Sequence, residues 1–175
     1  MAGATVYLWG ADGLGRYSAV SSNMNGEDTS GTKWMRSKYK SDSDGQVTFQ
    51  AAIPGWYQGR SMHFHVRIGL PSDSTSFVIT TQLFFDQDAL GTALKARSPY
   101  NSISTGLTSL EDDTVYPKMD STTRQSMILS LTGSMDGGYT ASFNLGIDSS
   151  SLGDDAPVPD EAAAATTTTP LEEKS

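Results

Sequence analysis

Met62-His63-Phe64-His65-Val66-Arg67-Ile68 alternates without a break between two kinds of side chain. Alternate side chains of an extended chain share a face. Met62, Phe64, Val66 and Ile68 therefore make one apolar stripe, and His63, His65 and Arg67 make the other. A helix would mix the two sets; a strand with one face on a core keeps them apart. The segment commits the chain to a sheet.

The rest of the sequence agrees. Residues 5–9, 46–50 and 76–85 carry strand-like runs, the last most strongly, and Asp42-Ser43-Asp44-Gly45 reads as the tight turn that feeds residues 46–50. Residues 126–131 and 139–145 read as two final strands around Thr132-Gly133-Ser134-Met135-Asp136-Gly137-Gly138, a hairpin by composition. Residues 88–97, with Ala89, Leu90, Ala93, Leu94 and Ala96, suit the one convincing helix. Residues 21–32 and 100–119 are polar and irregular. The expected class is mainly β: a β-sandwich with one short helix and long loops. The first strand starts almost at residue 1, which predicts an unprotected sheet edge there.

Composition narrows the partners. The 175-residue chain has a net charge of −8 and shows no basic cluster, which argues against a nucleic-acid partner. It has no apolar run long enough for a transmembrane helix. The first residues lack a signal-peptide pattern. With no cysteine, disulfides and thiol chemistry are out. Residues 1–153 read as one domain. Residues 154–175, rich in acidic residues, Ala, Thr and Pro, read as a disordered tail, better suited to a linker than to a glycosylated stalk.

The only two histidines are His63 and His65. On one face of a strand their Cα atoms lie about 7 Å apart, close enough to converge on one metal ion. Such a pair also arises by chance, and two imidazoles do not complete a site. A cupin would need a glutamate shortly after the pair, and Val66 to Leu70 supply none. An EF-hand at Asp42–Gly45 fails too, since its first ligand position is Lys40 and no glutamate closes the loop. A zinc hydrolase built on the two histidines lacks a carboxylate at ligand spacing. Tyrosines remain. Tyr57 follows the bend at Pro54-Gly55, and Tyr17 follows the glycine-rich run ending at Gly15. A phenol ionises near pH 10, so it binds at neutral pH only where a highly charged cation displaces its proton. Ferric iron is such an ion. For a single tyrosine, a buried ring with a hydrogen-bonded hydroxyl is the commoner role.

Taken in order, these residues resemble the intradiol ring-cleavage dioxygenases. Val6-Tyr7-Leu8-Trp9-Gly10-Ala11-Asp12-Gly13-Leu14-Gly15-Arg16-Tyr17 is similar to the segment with that family's first tyrosine ligand. Ser41 to Phe49 resembles the turn and strand before the second tyrosine. Ile53-Pro54-Gly55-Trp56-Tyr57 carries that second tyrosine, and Arg60-Ser61-Met62-His63-Phe64-His65 matches Arg-x-x-His-x-His. Thr81-Gln82-Leu83-Phe84-Phe85 resembles the strand whose glutamine lines the pocket. The pattern is nearest to secreted fungal members, which implies an extracellular protein. Gly10-Ala11 replaces a pair that is often His-Cys, and Ser37 replaces a frequent glycine.

The resemblance implies Fe(III) held by Tyr17, Tyr57, His63 and His65. It further implies a catecholic substrate and O2, with ring cleavage to a cis,cis-muconate and no organic cofactor. Tyr57 would be the ligand that leaves as substrate arrives. Arg60 would meet negative charge on the substrate, and Gln82 would orient it. The family carries strands upstream of the Trp9 segment, so the resemblance also implies a sandwich lacking some N-terminal strands. The alternative is an inactive remnant that binds without turnover.

Overall fold

The computed structural model describes residues 1–23, 26–71 and 77–147; the expected tail at 154–175 lies outside them. Among the described residues are seven strands and two α-helices. Strands β1 (Thr5–Gly10), β2 (Arg36–Lys40), β3 (His63–Gly69), β4 (Phe77–Phe85) and β5 (Ile128–Leu129) form one sheet in the order β2-β1-β3-β4-β5. All neighbours are antiparallel except β4 and β5. A two-stranded sheet of β6 (Leu131–Ser134) and β7 (Gly138–Ala141) completes a β-sandwich-like fold. No helix among the described residues is long and apolar enough to cross a membrane.

Register carries the alternation of β3 into its neighbours. Phe64 pairs with Gly10 and Leu83, and Ile68 with Val6 and Ile79. These positions form the core face, with Val6, Phe64, Val66, Ile68 and Leu83 buried. The opposite face holds His63 beside Phe84, His65 between Trp9 and Gln82, and Arg67 between Tyr7 and Thr80. Helix α1 (Gln87–Lys95) follows β4 after Asp86, whose carboxylate caps the amide of Asp88. It buries Leu90 and Leu94. The Gln87 side chain accepts from the Met62 amide at 3.1 Å and donates to the Phe85 carbonyl at 2.6 Å. That fixes the entry to β3.

The structure corrects four expectations. β1 is an inner strand flanked by β2 and β3, so the open edge predicted at residues 5–9 is not there. The sheet edges are β2 and β5, and β2, with Arg36, Lys38 and Lys40, has the charged composition that discourages edge-to-edge pairing. Residues 46–50 are not a strand. Asp42 accepts from the Gln46 amide at 2.8 Å, and Val47 and Phe49 pack on the core without a ladder of their own. The final hairpin sits later than expected, because 131–134 pairs with 138–141 and Gly138 takes the positive φ of 82° that the turn needs. A second helix, α2 (Ser121–Ser126), is capped by Asp120, which accepts from the Thr122 and Thr123 amides.

Candidate metal centre

Two loops and one strand meet at the His63 end of the sheet. The first loop is shaped by Asp12. Its carboxylate accepts from the Leu14 and Arg16 amides at 2.9 Å and pairs with the Arg16 side chain at 2.6 Å. Gly15 has φ 77°, and a Cβ there would strike the Trp56 carbonyl. The chain then delivers Tyr17. Asn23 grips this residue at both backbone groups, accepting from its amide at 2.6 Å and donating to its carbonyl at 3.1 Å.

The second loop comes up against the first. A Cβ on Gly55 would lie 2.8 Å from the Asp12 carbonyl oxygen and the Gly15 nitrogen, so only glycine allows this approach. The Gly55 amide donates to the Asp12 carbonyl at 2.9 Å. Trp56, fully buried, anchors the loop by donating from Nε1 to the Thr105 carbonyl at 3.1 Å. A tight turn from Tyr57 to Arg60, with Gly59 at φ 76°, then feeds the start of β3.

Four donor atoms converge. The Tyr17 hydroxyl lies 3.0 Å from Nε2 of His63, 3.0 Å from Nε2 of His65 and 3.5 Å from the Tyr57 hydroxyl. The two Nε2 atoms are 3.2 Å apart. Nδ1 of His63 lies 2.7 Å from the Ser61 carbonyl, which can only accept. That bond fixes the proton on Nδ1 and turns the lone pair of Nε2 into the cluster. His65 is oriented by Trp9, whose ring stacks on the imidazole at 4.8 Å.

The electrostatics keep the imidazoles free of protons. His63 is pushed down to about 4, by burial first and the Arg60 charge second. His65 is pushed down to about 3, by burial and then by His63 and Arg60. Both are neutral donors at neutral pH. Burial, then Tyr57, pushes the Tyr17 phenol well up, so Tyr17 keeps its proton until a strong positive charge displaces it. Two facing imidazole nitrogens and two phenol oxygens are a donor set for a hard or borderline metal ion, and ferric iron fits them. Among the described residues, no three His, Cys, Asp or Glu side chains group to hold a metal. The histidines thus have phenols as companions and no carboxylate, which leaves the zinc-hydrolase alternative without its third ligand.

Arg60 and Gln82 stand beside this cluster. Arg60 Nη1 donates to the Tyr57 hydroxyl at 3.3 Å, and Nη2 donates to Oε1 of Gln82. The fold thus brings all six residues singled out in the sequence to one place. Asp113, Asn23 and Ser61 also shape the site, a role that no sequence motif assigns them. Asp113 stands in a run of three acidic residues in a polar loop, where nothing local marks it out.

The sequence matches no family model and no curated protein. The structure does find relatives. It superposes on the intradiol ring-cleavage dioxygenase from Tetranychus urticae with a TM-score of 0.70 and 26% identity, covering 85% of this chain and 72% of that one. The fold is that of the intradiol ring-cleavage dioxygenases. A second solved dioxygenase aligns with a TM-score of 0.61 at 26% identity, over 75% of this chain and 64% of its own length. The intradiol dioxygenase likeness thus extends well beyond the motif-bearing residues 5–85. These two structures do not show the expected likeness to secreted fungal members.

Proposed function

We propose that the chain is a non-haem Fe(III) intradiol dioxygenase that cleaves a catechol-type ring with O2 to a cis,cis-muconate. The convergence of Tyr17, Tyr57, His63 and His65 carries this reading, and the likeness to two solved dioxygenases supports it. Both oxygen atoms of O2 enter the product, so the balance needs no reductant. A ferric ion bound to the four donors would act as a Lewis acid that draws the catechol in as its dianion.

The protein's own groups do the rest. His63 and His65 stay neutral and keep their lone pairs on the cluster, His63 through its bond to Ser61 and His65 through its stack on Trp9. With its own proton displaced by the ion, Tyr57 Oη would accept one catechol proton as substrate enters, the other leaving to solvent, and the adjacent Nη1 of Arg60 donates to that oxygen. The Arg60 guanidinium then offers a fixed positive charge to negative oxygen on the substrate. Gln82, opposite His65 in the sheet, fixes the guanidinium from the far side and orients the ring. Phe84, fully buried beside His63, keeps water from the inner edge.

The test is a visible spectrum of the iron-loaded chain together with oxygen uptake on catechol. A broad tyrosinate-to-iron charge-transfer band with stoichiometric uptake is expected, and Tyr57→Phe should weaken and shift the band, which Tyr17 still supplies, and lose the uptake. A chain that binds iron without colour and takes up no oxygen would overturn the reading.

A further inference from the structure

Arg60 is gripped from three directions. Two partners, Tyr57 and Gln82, belong to the site itself; the third reaches in from 53 positions away. Nε of Arg60 donates to Oδ2 of Asp113 at 3.1 Å. The Asp113 side chain has no exposed surface, against 12% for Arg60. A buried carboxylate is costly unless nearly every lone pair is met, and here they are. Oδ2 also accepts from the Ser61 amide at 2.7 Å, while Oδ1 accepts from the Val115 and Tyr116 amides at 2.7 and 3.0 Å.

Three of the four donors are backbone amides, so the carboxylate is fixed by its own loop and by Ser61 before the arginine is counted. The same loop is clamped again to the residues around Arg60. The Thr114 amide donates to the Gly59 carbonyl at 3.2 Å, and Ser61 Oγ, with one proton to donate, lies 3.0 and 2.9 Å from the Thr108 and Ser109 carbonyls. A long arginine side chain has several rotatable bonds and loses much entropy when held. A rigid anion on Nε removes most of that freedom and leaves the Nη atoms facing Tyr57 and Gln82.

We propose that Asp113 is a positioning residue: it fixes the Arg60 guanidinium so that Nη1 meets the Tyr57 hydroxyl. What the guanidinium then does rests on the ring-cleavage reading; where it is held does not.

Two measurements test this. The first is the 15N–1H signal of Arg60 Nε in the unmodified chain, assigned by its loss in Arg60→Gln. A proton that exchanges slowly with water and moves in Asp113→Asn supports the clamp. One that exchanges as fast as in a free arginine overturns it, whether or not the variant folds. The second is a double-mutant cycle in the iron-loaded enzyme. Asp113→Asn is expected to lower kcat about 10- to 100-fold with KM little changed. On an Arg60→Gln background the same change should cost less than about 3-fold, because the group it positions is gone. Equal losses on both backgrounds would mean that Asp113 serves the fold alone, and would overturn the proposal. Failure of the ring-cleavage reading looks different: no oxygen uptake by the unmodified chain, with a slowly exchanging Nε proton still present.

Discussion

Trp9 lies flat on His65, with ring centroids 4.8 Å apart and planes 6° from parallel. The two residues are also direct partners in the β1–β3 register. The stack holds one face of the imidazole, and Arg67 sits over the indole in turn, 5.8 Å from its centroid. Trp9→Leu keeps an apolar side chain on the strand but lets the imidazole turn. It should cost about 1 to 2 kcal/mol of stability. It should weaken iron binding by more than that loss explains. Denaturant midpoints and an Fe(III) titration on the same variant separate the two effects.

The approach of the two tyrosine loops turns on Gly55. A methyl group there would lie 2.8 Å from backbone atoms of Asp12 and Gly15, none of which is the end of a flexible side chain. Gly55→Ala should therefore force the loops apart and destabilise the chain by about 2 kcal/mol or more. Whatever fraction still folds should fail to develop the charge-transfer band when loaded with iron.

Acid should weaken the metal-free chain early. His63 and His65 titrate at about 4 and about 3 in the folded state, below the ordinary imidazole value of 6.5. Between those values the unfolded chain binds protons that the folded chain refuses, so stability falls as pH drops through about 6.5 and below. By pH 5 each histidine costs about 2 kcal/mol relative to neutral pH. Asp113 acts at lower pH. Burial raises it, but the Tyr116, Ser61 and Val115 amides and Arg60 outweigh that and hold it below the usual carboxylate range. Its contribution is present above that range and is lost only as pH falls through the lowered value. Thermal melting of the metal-free chain from pH 8 to pH 4 should show the early loss; a flat profile down to pH 5 would contradict it.

Loading with Fe(III) should release protons. Tyr17 keeps its proton in the metal-free chain, because burial pushes the phenol well up. Binding through the Tyr17 phenolate should therefore release its proton, and affinity should rise with pH. Tyr17→Phe should release about one fewer. A pH-stat titration counts them directly.

Much of this was legible in the sequence, for reasons that differ by residue. The His63–His65 face and the core stripe beside it follow from the two-residue period of a strand, and β1, β4 and α1 show equally clear local patterns. β2 shows none, since Arg36-Ser37-Lys38-Tyr39-Lys40 has no apolar face and becomes a strand only by pairing with β1. Residues 46–50 make the opposite case: an alternating pattern that forms no ladder among the described residues, although Phe49 packs on Tyr39 of β2. At the site, the histidines could be read from spacing; the bends before Tyr17 and Tyr57 raise them as candidates, and the family resemblance implies their role as ligands. Asp113 could be read from none of these. A carboxylate that meets its arginine across 53 residues leaves no mark in any local window.

The inner position of β1 has a consequence for how the molecule comes into being. Tyr17 and His65 are 48 positions apart, and β1 and β3 pair residues still farther apart along the chain, from Gly10 with Phe64 to Thr5 with Gly69. Such contacts form only after a long stretch of backbone has closed into a loop, at an entropic cost that local pairing cannot defray. The hairpin of β1 and β2 can form early, but it carries one donor at most. The centre is therefore among the last features to assemble, and an ion bound across it would act as a crosslink between the two ends of that loop.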